Sequence, residues 1–489
     1  MNKKFYTKIE FYLVLLYALL TGAFIYFSFK MNVIPAKYFT TIIIVLVALF
    51  ALLSYLQLSK KMLKGLRALG KVMIVILCLL LAMGNWYMYS TYNTLSKVTS
   101  TKKDVDVVSV VVLKESPLKS LKDIDKQLVC HTIFHDQTLE KHVMTDLKKE
   151  MGSKPKTKIF GSYKDLTDAL YKKDIQVMLL NESSRGIVEE THPNFTEETR
   201  ILKSFEYEKE TKDIAKEVDV ASDAFNVYIT GMDTYGMITT ASRSDVNLIM
   251  TINPTTHQIL MTGIPRDYYI PQTCQGNQLD KLTHTGIFGV DCTVESMENL
   301  LDIDLNYYVR VNFSSLIDVV DSIGGIDVDS PYAFETGNAS IQVGMNHLNG
   351  EQALSFVRER YSLPGGDRDR NRNQMRVLSA IINKAISPSI IMNYPDLIAA
   401  LSNSFQTNMP QKDMTSFIKN QINEMSSWDI KQIQLYGYGE TNWSPANGFN
   451  SYVMRPNEDS VANASKLIKQ VHQGKVITNE QIEEQNSIR

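Results

Sequence analysis

Apolar positions are concentrated in three runs at the start of the chain, and a mixed apolar and polar pattern occupies the rest of its 489 residues. The runs cover approximately 11–29, 38–56 and 72–89. Each run approaches the ~20 residues that a helix needs to cross the hydrocarbon core of a bilayer. The pattern therefore predicts a transmembrane region of three helices within residues 1–94.

The charges around these runs predict how the chain is oriented in the membrane. The loop between the first two runs has only Lys30 and Lys37 as basic residues. The N-terminus and the loop between the second and third runs are more basic, with Lys3, Lys4, Lys8, Lys60, Lys61, Lys64, Arg67 and Lys71. Because cytoplasmic loops carry the excess of Lys and Arg, we expect a cytoplasmic N-terminus in the cell membrane. Three spans then place the C-terminal domains outside the cell.

After the third run, strand-like and helix-like patterns alternate. A β-branched run at 106–113 opens this region and predicts a small α/β domain over 95–218. Within it we expect a juxtamembrane linker at 96–104, which is rich in Ser, Thr and Lys. The charged residues of 206–218 predict an exposed helix or a linker between domains.

The next alternating region predicts a second α/β domain over 219–476, in which a central sheet is flanked by helices. A helix is expected at 394–405, and a polar tail at 477–489. The predicted fold class is thus α/β after a membrane region.

Net charge and cysteines restrict the classes of function. The net charge of −2 shows no basic field of the kind that attracts nucleic acid, so no nucleic-acid partner is expected. Cys78 lies in the third apolar run, and no histidine constellation accompanies any cysteine. Cys274 and Cys292 could form a disulfide in an exported domain or remain two thiols, and the sequence leaves both open.

An arginine-rich stretch with a Gly-Gly turn contains the first candidate for chemistry. Arg358 and Arg360 precede the turn, and Asp367, Arg370 and Gln374 follow it. A guanidinium presents a fixed fork of donors that matches phosphate oxygens. Residues three and four apart share a helix face, so the last three residues would point the same way. Asp367 could instead be a helix N-cap, and both roles can hold together.

Shorter motifs upstream have the same character. Asp233 follows a predicted strand and Asp245 begins the next one, so both carboxylates could hold Mg²⁺ against a phosphate. Alternatively, Asp233 could simply cap a turn and Asp245 a strand. Arg243 and Arg266 lie at other predicted strand ends and add donors. His284 is expected to be a solvated loop residue rather than a general base.

Several of these motifs, in this order, resemble the LytR-CpsA-Psr family. The resemblance covers about 224–379 closely and continues more loosely to about 476. It is carried by Gly231-Met232-Asp233-Thr234, Arg243-Ser244-Asp245, Ile264-Pro265-Arg266-Asp267, Lys281-Leu282-Thr283-His284, Asn349-Gly350-Glu351-Gln352-Ala353-Leu354, Val357-Arg358-Glu359-Arg360 and Asp367…Arg370…Gln374. The three spans and the domain before these motifs resemble the streptococcal members associated with capsule or exopolysaccharide, in which that extra domain is called the accessory domain.

The resemblance implies an extracellular phosphotransferase that moves a glycan from polyprenyl pyrophosphate to peptidoglycan in the cell wall, with Mg²⁺ (or Mn²⁺). It implies that Asp233 and Asp245 hold the metal. It further implies a pyrophosphate clamp, in which Arg243 also serves catalysis, made of Arg243, Arg266, Arg358, Arg360, Arg370 and Gln374. Asp367 would be catalytic, either orienting those arginines or handling a proton. Capsule-assembly proteins would be further partners at the membrane.

Two other functions stay open at this point. The same site could hydrolyse the lipid pyrophosphate with water as the acceptor, so a pyrophosphatase side activity is compatible with the motifs. The chain could also be a non-enzymatic membrane regulator of capsule biosynthesis or transcription. The near-zero net charge and the small predicted cytoplasmic part speak against transcriptional control.

Overall fold

The computed structural model describes residues 9–59, 62–100, 103–124, 127–134, 136–232, 240–387, 396–397, 400 and 405–489. Its first three helices are α1 (Ile9–Met31), α2 (Ala36–Leu58) and α3 (Lys64–Ser100). All three are long and apolar enough to cross a membrane. They pack on one another through buried residues such as Tyr17, Leu53 and Ile74.

The third helix is longer than predicted and extends into the segment that was predicted to be a linker. It continues to Ser100, and a strand begins at Lys103, so the linker predicted at 96–104 is wrong over most of its length. The physical reason is that no Gly or Pro interrupts 86–100, so the hydrogen bonds of the helix can continue past the apolar part.

The described part of the first α/β unit contains five strands and four α-helices. In chain order these are β1 (Lys103–Leu113), β2 (Leu128–Thr132), α4 (Gln137–Met151), β3 (Lys156–Phe160), α5 (Tyr163–Tyr171), β4 (Val177–Asn181), α6 (Arg185–Thr191), α7 (Phe195–Glu198) and β5 (Thr199–Glu210). The strand order is β3-β2-β4-β1-β5. Along β1, Val110 and Val112 belong to one core cluster and Val111 to the other, so both faces of the sheet are covered.

Strand β5 extends into the segment for which an exposed helix or linker was predicted. That prediction is wrong for 206–210, which pair with β1 in antiparallel register. Its alternating side chains explain the strand: Phe205 is buried in the core, and Tyr207 donates a hydrogen bond to Asp146 Oδ2 of α4 at 2.9 Å.

The second α/β unit contains the remaining elements. Its strands are β6 (Phe225–Met232), β7 (Val246–Asn253), β8 (Gln258–Gly263), β9 (Tyr269–Gln272), β10 (Gln278–Lys281), β11 (Tyr307–Asn312), β12 (Ile326–Ser330), β13 (Phe334–Glu335), β14 (Ser340–Ile341), β15 (Gly344–Leu348), β16 (Gln406–Thr407), β17 (Asp429–Gln434), β18 (Gly437–Ser444) and β19 (Phe449–Pro456). Its helices are α8 (Leu282–Thr285), α9 (Val290–Leu301), α10 (Phe313–Ser322), α11 (Gly350–Arg358), α12 (Asp367–Ala385), α13 (Gln411–Glu424), α14 (Glu458–His472) and α15 (Asn479–Ser487).

A six-stranded sheet of order β16-β11-β6-β7-β8-β17 forms the centre of this unit. Strands β6 and β11 are parallel, as are β8 and β17, whereas β7 is antiparallel to both of its neighbours. One face packs on α9 and α14, and the other packs on α12 and α13. Helix α12 comes so close to β8 that a Cβ at Gly263 would collide with Asn371 Oδ1. The predicted α/β class, with a central sheet flanked by helices, is confirmed.

Two further predictions concern the segments 394–405 and 477–489. The helix predicted at 394–405 lies largely outside the described residues. Within the polar tail predicted at 477–489, residues 479–487 form α15. Thr478 and Gln481 make a reciprocal capping box at its start, and Ile482 packs against the core.

Candidate active site

A cavity of about 870 Å³ lies on one face of the six-stranded sheet. The register aligns Gly231, Val246 and Val311 as one row of its wall and Ile229, Leu248 and Val309 as the next row. The first row lies close to the C-terminal ends of β6 and β11, where ligands gather in α/β proteins.

Helix α12 provides the opposite wall and changes from polar to apolar along its length. Arg370 and Gln374 line the cavity near the start of the helix, and Val377, Leu378 and Ile381 line it further on. These positions share one helix face, and they span about 16 Å at the rise of an α-helix. Apolar side chains from α10 and α11 close the same region: Phe313, Leu316, Val319, Leu354 and Val357. The cavity therefore has one charged end and one long apolar part.

Backbone hydrogen bonds join the segments that form the charged end. The amide of Asp245 donates to the carbonyl of Gly231 at 2.9 Å. The amide of Ser244 donates to the carbonyl of Thr283, whose own amide donates to the carbonyl of Arg266, both at 2.9 Å. The three segments around Ser244, Thr283 and Arg266 thus lie side by side although they are far apart in sequence.

Asp245 and Arg266 form the central ion pair of this end. Arg266 Nη1 donates to Asp245 Oδ1 at 2.7 Å, and Thr283 Oγ1 donates to the same oxygen at 3.2 Å. Burial alone would raise the pKa of Asp245, but Arg243 and Arg266 outweigh it and lower that pKa to about 2. Burial works against the charge of Arg266, yet Asp245 and the neighbouring carboxylates raise its pKa. Both groups are therefore charged at neutral pH.

Two further carboxylates lie beside Arg266. Its Nε is 3.9 Å from both Asp267 Oδ2 and Asp367 Oδ1, and Arg370 Nη2 lies 2.5 Å from the same oxygen of Asp367 as an ion pair. Burial raises the pKa of Asp267, although Arg266 and Lys281 oppose the shift. Asp367 is the first residue of α12 and follows Gly366, so it is not the helix N-cap.

Arg358 and Arg360 both line the cavity because α11 ends between them. Two residues that are two positions apart in a helix point in roughly opposite directions. Glu359, which follows Arg358, has extended backbone angles, so Arg358 and Arg360 are not held in that arrangement and both face the cavity. The Arg358 guanidinium lies 4.4 Å from the centre of the Phe313 ring, and that of Arg360 lies 4.6 Å from the Tyr361 ring. Stacking on an aromatic ring orients the fork of an arginine.

Three polar atoms at this end are buried without a hydrogen-bond partner among the described residues: Asp245 Oδ2, Arg266 Nε and Arg370 Nε. Buried polar atoms in proteins are normally satisfied, so these three atoms are candidate contacts for a ligand or an ordered water. A carboxylate oxygen suits a hard cation, and guanidinium donors suit phosphate oxygens. Asp233, the other predicted metal ligand, lies outside the described residues. Within the part of the chain that the structure describes, no cluster of three metal-binding side chains occurs.

The structure places the predicted residues Arg243, Asp245, Arg266, Arg358, Arg360, Arg370 and Gln374 around this one cavity. His284 was predicted to be a solvated loop residue, and that prediction is wrong. It lies fully buried in α8, with Nδ1 3.1 Å from Asp280 Oδ1, because the segment packs under the core of the second unit.

Sequence reasoning missed other residues that line the cavity. Lys281 and Thr283 belong to a motif that was recognised without a role for either residue. Glu189 and Glu190 come from α6 of the first unit, and Tyr452 comes from β19. No local pattern marks Glu189, Glu190 or Tyr452. The packing of the first unit on the second brings the two glutamates to the site, and the packing of β19 within the second unit brings Tyr452.

The cysteine pair that the sequence left open is joined in a disulfide. Cys274 and Cys292 have Cα atoms 5.3 Å apart, and the bond ties the segment after β9 to α9. Cys78 and Cys130 are free and buried.

Comparisons with known proteins identify the family of the chain. The LytR_cpsA_psr family model matches residues 194–470. The polyisoprenyl-teichoic acid–peptidoglycan teichoic acid transferase TagU of Bacillus subtilis is 34% identical over 257 residues, which are 52% of this chain and 80% of TagU. TagU of Enterococcus faecalis is 32% identical over 245 residues, 49% of this chain and 80% of that protein.

A crystal structure of B. subtilis TagU shares 32% identity and covers 53% of this chain and 100% of that one, with a TM-score of 0.42. The family model alone covers more than half of the 489 residues. The conclusion is that this chain belongs to the LytR_cpsA_psr family.

Proposed function

We propose that the chain is a membrane-anchored transferase that moves a capsular or exopolysaccharide glycan from polyprenyl pyrophosphate to peptidoglycan. One observation carries the proposal: the cavity combines a long apolar wall with a cluster of arginines at one end. An amphiphile with an apolar tail and a polyanionic head fits such a cavity. The TagU relatives are named for transfer from a polyisoprenyl carrier to peptidoglycan, which agrees with that ligand class.

The arginines would bind and neutralise the pyrophosphate. Phosphoryl transfer depends on positioning and on stabilising the charge that develops on the phosphate oxygens and the leaving group. Arg266 and Arg370 are held by Asp245 and Asp367, and each has a buried Nε without a hydrogen-bond partner in the described structure. Their forks are thus pre-oriented and need no rearrangement when the head group binds.

A divalent cation would supplement the arginines. The Oδ2 atom of Asp245 suits Mg²⁺ (or Mn²⁺), and Asp233 would be its second ligand. When bound, the cation supplies further neutralisation of phosphate charge.

The acceptor hydroxyl would attack the phosphorus that carries the glycan. The new bond joins this phosphorus to the acceptor oxygen, the bond to the bridging oxygen breaks, and polyprenyl phosphate leaves. Asp367 would accept the hydroxyl proton. Its side chain is 36% exposed, against 8% for Asp245 and 18% for Asp267, so it is the most exposed of the three carboxylates beside Arg266. Arg243 would stabilise the developing charge.

The test uses the purified full-length chain in lipid nanodiscs, with a polyprenyl-pyrophosphate glycan, Mg²⁺ and peptidoglycan fragments. Glycan attachment is followed by mass spectrometry in wild type and in Asp245→Ala, Arg266→Ala and Arg358→Ala. Arg455→Ala is the matched control, because that arginine is 63% exposed and does not line the cavity. We expect attachment that requires the divalent cation and is lost in the three variants alone.

Other outcomes assign the site differently. Release of free glycan phosphate without attachment would identify a hydrolase, since only the acceptor differs between the two reactions. Absence of any turnover, together with lipid binding that the three substitutions abolish, would identify a lipid-binding regulator.

A further inference from the structure

Helix α6 of the first α/β unit reaches into the charged end of the cavity. Gly186, Glu189 and Glu190, all from α6, line the cavity together with residues of the second unit. The catalytic cavity is thus built by both units and not by the second unit alone.

Among the described residues, Glu190 makes three polar contacts with the second unit. Its Oε1 accepts Arg243 Nη1 at 2.9 Å, and its Oε2 accepts Asn447 Nδ2 at 2.9 Å. The ammonium of Lys281 lies 3.4 Å from Oε2. The side chain is 26% exposed, and while burial works against its charge, Lys281, His284 and Arg243 keep its pKa below the usual value. An ionised carboxylate is therefore fixed in one place beside Arg243.

A second position on α6 constrains the same arginine. A Cβ added at Gly186 would lie 2.6 Å from Arg243 Nε and 2.7 Å from its Cζ. The guanidinium thus lies directly against the backbone of α6, while its Nη2 is 3.8 Å from Asp245 Oδ2. Arg243 is enclosed by Gly186 and Glu190 from one unit and by Asp245 from the other.

We propose that Glu190 is a positioning residue for Arg243, so that the first α/β unit is a working part of the pyrophosphate site. The inference rests on the proposed function. A guanidinium has several N–H donors, and Glu190 engages one of them at hydrogen-bond distance, which orients the fork and leaves donors for phosphate oxygens. Asn447 donates a hydrogen bond to Glu190 and holds its carboxylate in place. Groups that orient the residues of a binding site are themselves fixed by such contacts.

The experiment measures binding of farnesyl pyrophosphate to the full-length chain in nanodiscs by calorimetry, alongside glycan transfer. Glu190→Gln keeps the size of the side chain and removes its charge. We expect its affinity for farnesyl pyrophosphate to fall about tenfold, as for loss of one charge-assisted hydrogen bond. Glu190→Asp should recover part of the loss. Glu197→Gln, an exposed change of the same kind in the same unit, is the control and should bind as wild type.

Two further variants show whether Glu190 acts through Arg243. Gly186→Ala should weaken binding in the same direction, because its methyl group displaces the guanidinium. In an Arg243→Ala background, Glu190→Gln should have no additional effect on affinity. A general loss of stability would instead lower affinity equally in both backgrounds.

The outcomes separate this inference from the proposed function. If wild type does not bind farnesyl pyrophosphate, the proposed function fails, and the inference fails with it. If wild type binds and Glu190→Gln binds equally well, the inference alone is overturned. Tighter binding by Glu190→Gln would also overturn it, since the carboxylate would then compete with the ligand for Arg243.

Discussion

Asp245 and Arg266 form a desolvated ion pair at the charged end of the cavity. Their side chains are 8% and 17% exposed, and the Nη1–Oδ1 distance is 2.7 Å. Removing one member of such a pair leaves a buried charge uncompensated, which costs about 3–5 kcal/mol. Substitution by alanine therefore mixes lost stability with lost function, and a substitution that keeps the charge separates the two.

We expect Arg266→Lys to fold and to lose at least about tenfold in transfer rate. A lysine keeps the positive charge next to Asp245 but lacks the planar fork, so a donor to phosphate is lost. A hydrogen bond to a charged group contributes about 1.5–3 kcal/mol, which corresponds to roughly tenfold or more in rate. Initial transfer rates and thermal unfolding check this expectation.

The matched control is Arg455→Lys, because Arg455 is exposed on β19 and its Nε is 3.9 Å from Glu440. An equal fall in rate in this control, or a wild-type rate in Arg266→Lys, would contradict the role given to the fork of Arg266.

At this scale, the sequence predicted the chemical type of the site but not its pairing. Asp245 was predicted to hold the metal and Arg266 to bind the pyrophosphate, and no contact between the two was predicted. The structure joins them through a direct hydrogen bond. The burial of His284 was not predictable either. The short segment Leu282–Thr285 contains no pattern to indicate that β9, β10 and α9 pack around it. Local patterns report local conformation, and burial depends on distant elements.

At the scale of elements, α12 determines how the cavity changes along its length. The charged end lies at its first turns, where the helix dipole also favours anions, and the apolar part lies along the following turns. The shared face of Arg370 and Gln374 followed from helical spacing and agrees with the cavity lining. The apolar part could not be located from sequence, because its other walls come from β6, β7, β11 and α10, and only the sheet register brings these together.

We expect Leu378→Trp to reduce selectively the use of donors with a long polyprenyl chain. Leu378 lines the apolar part of the cavity, two helical turns beyond Arg370. A larger side chain there occupies space that only a long tail reaches, while the charged end stays unchanged. Transfer from a long-chain donor should fall about tenfold or more relative to a farnesyl-length donor, an effect of the size seen for overfilled apolar sites.

Each variant is tested with both the long-chain and the farnesyl-length donor, so that a general loss of activity can be told apart from a loss that depends on the length of the lipid. Val343→Trp adds the same side chain at a position that is 68% exposed and should leave both donors unaffected. Equal losses for long and short donors in Leu378→Trp would argue against a tail that extends along α12.

At the scale of the whole molecule, buried contacts hold the two α/β units together. Arg310 of β11 is buried and donates to both carboxylate oxygens of Asp104 at the start of β1, at 2.7 and 3.3 Å. Gln406 of β16 accepts a further hydrogen bond from Arg310 at 2.9 Å. The sequence predicted two α/β units but no contact between them, since the partners are 206 residues apart and neither lies in a recognisable motif.

The same packing brings the second unit against one end of the membrane helices. Lys419 Nζ of α13 lies 2.8 Å from Asn32 Oδ1 in the loop between α1 and α2, and Lys37 Nζ donates to the carbonyl of Asn423 at 2.9 Å. The opposite ends of the spans meet through Glu10 and Lys71, 2.9 Å apart. The loop at 32–35 is therefore on the same side as the second unit, and Leu63, just before α3, is on the other.

We expect the loop at 32–35 and both α/β units to lie outside the cell. The basic loop between α2 and α3 would then be cytoplasmic, as the excess of Lys and Arg in cytoplasmic loops requires. A membrane-impermeant maleimide tests this in intact cells that produce the full chain with Cys78 and Cys130 replaced by Ser. Ala36→Cys should react without permeabilisation, and so should Val343→Cys on the catalytic unit. Leu63→Cys, which is also exposed, should react only after permeabilisation.

The three positions together distinguish the possible results, because the structure ties two of them to the same side. Reaction of Leu63→Cys alone in intact cells would reverse the orientation and would remove the catalytic cavity from any cell-wall acceptor. If Val343→Cys reacted in intact cells and Ala36→Cys did not, the two positions would lie on opposite sides of the membrane. That result would contradict the contacts of Lys419 and Lys37. The expected pattern would place the charged end of the cavity on the side where peptidoglycan is available, and the proposed lipid-linked donor would come from the membrane that the three helices are proposed to span.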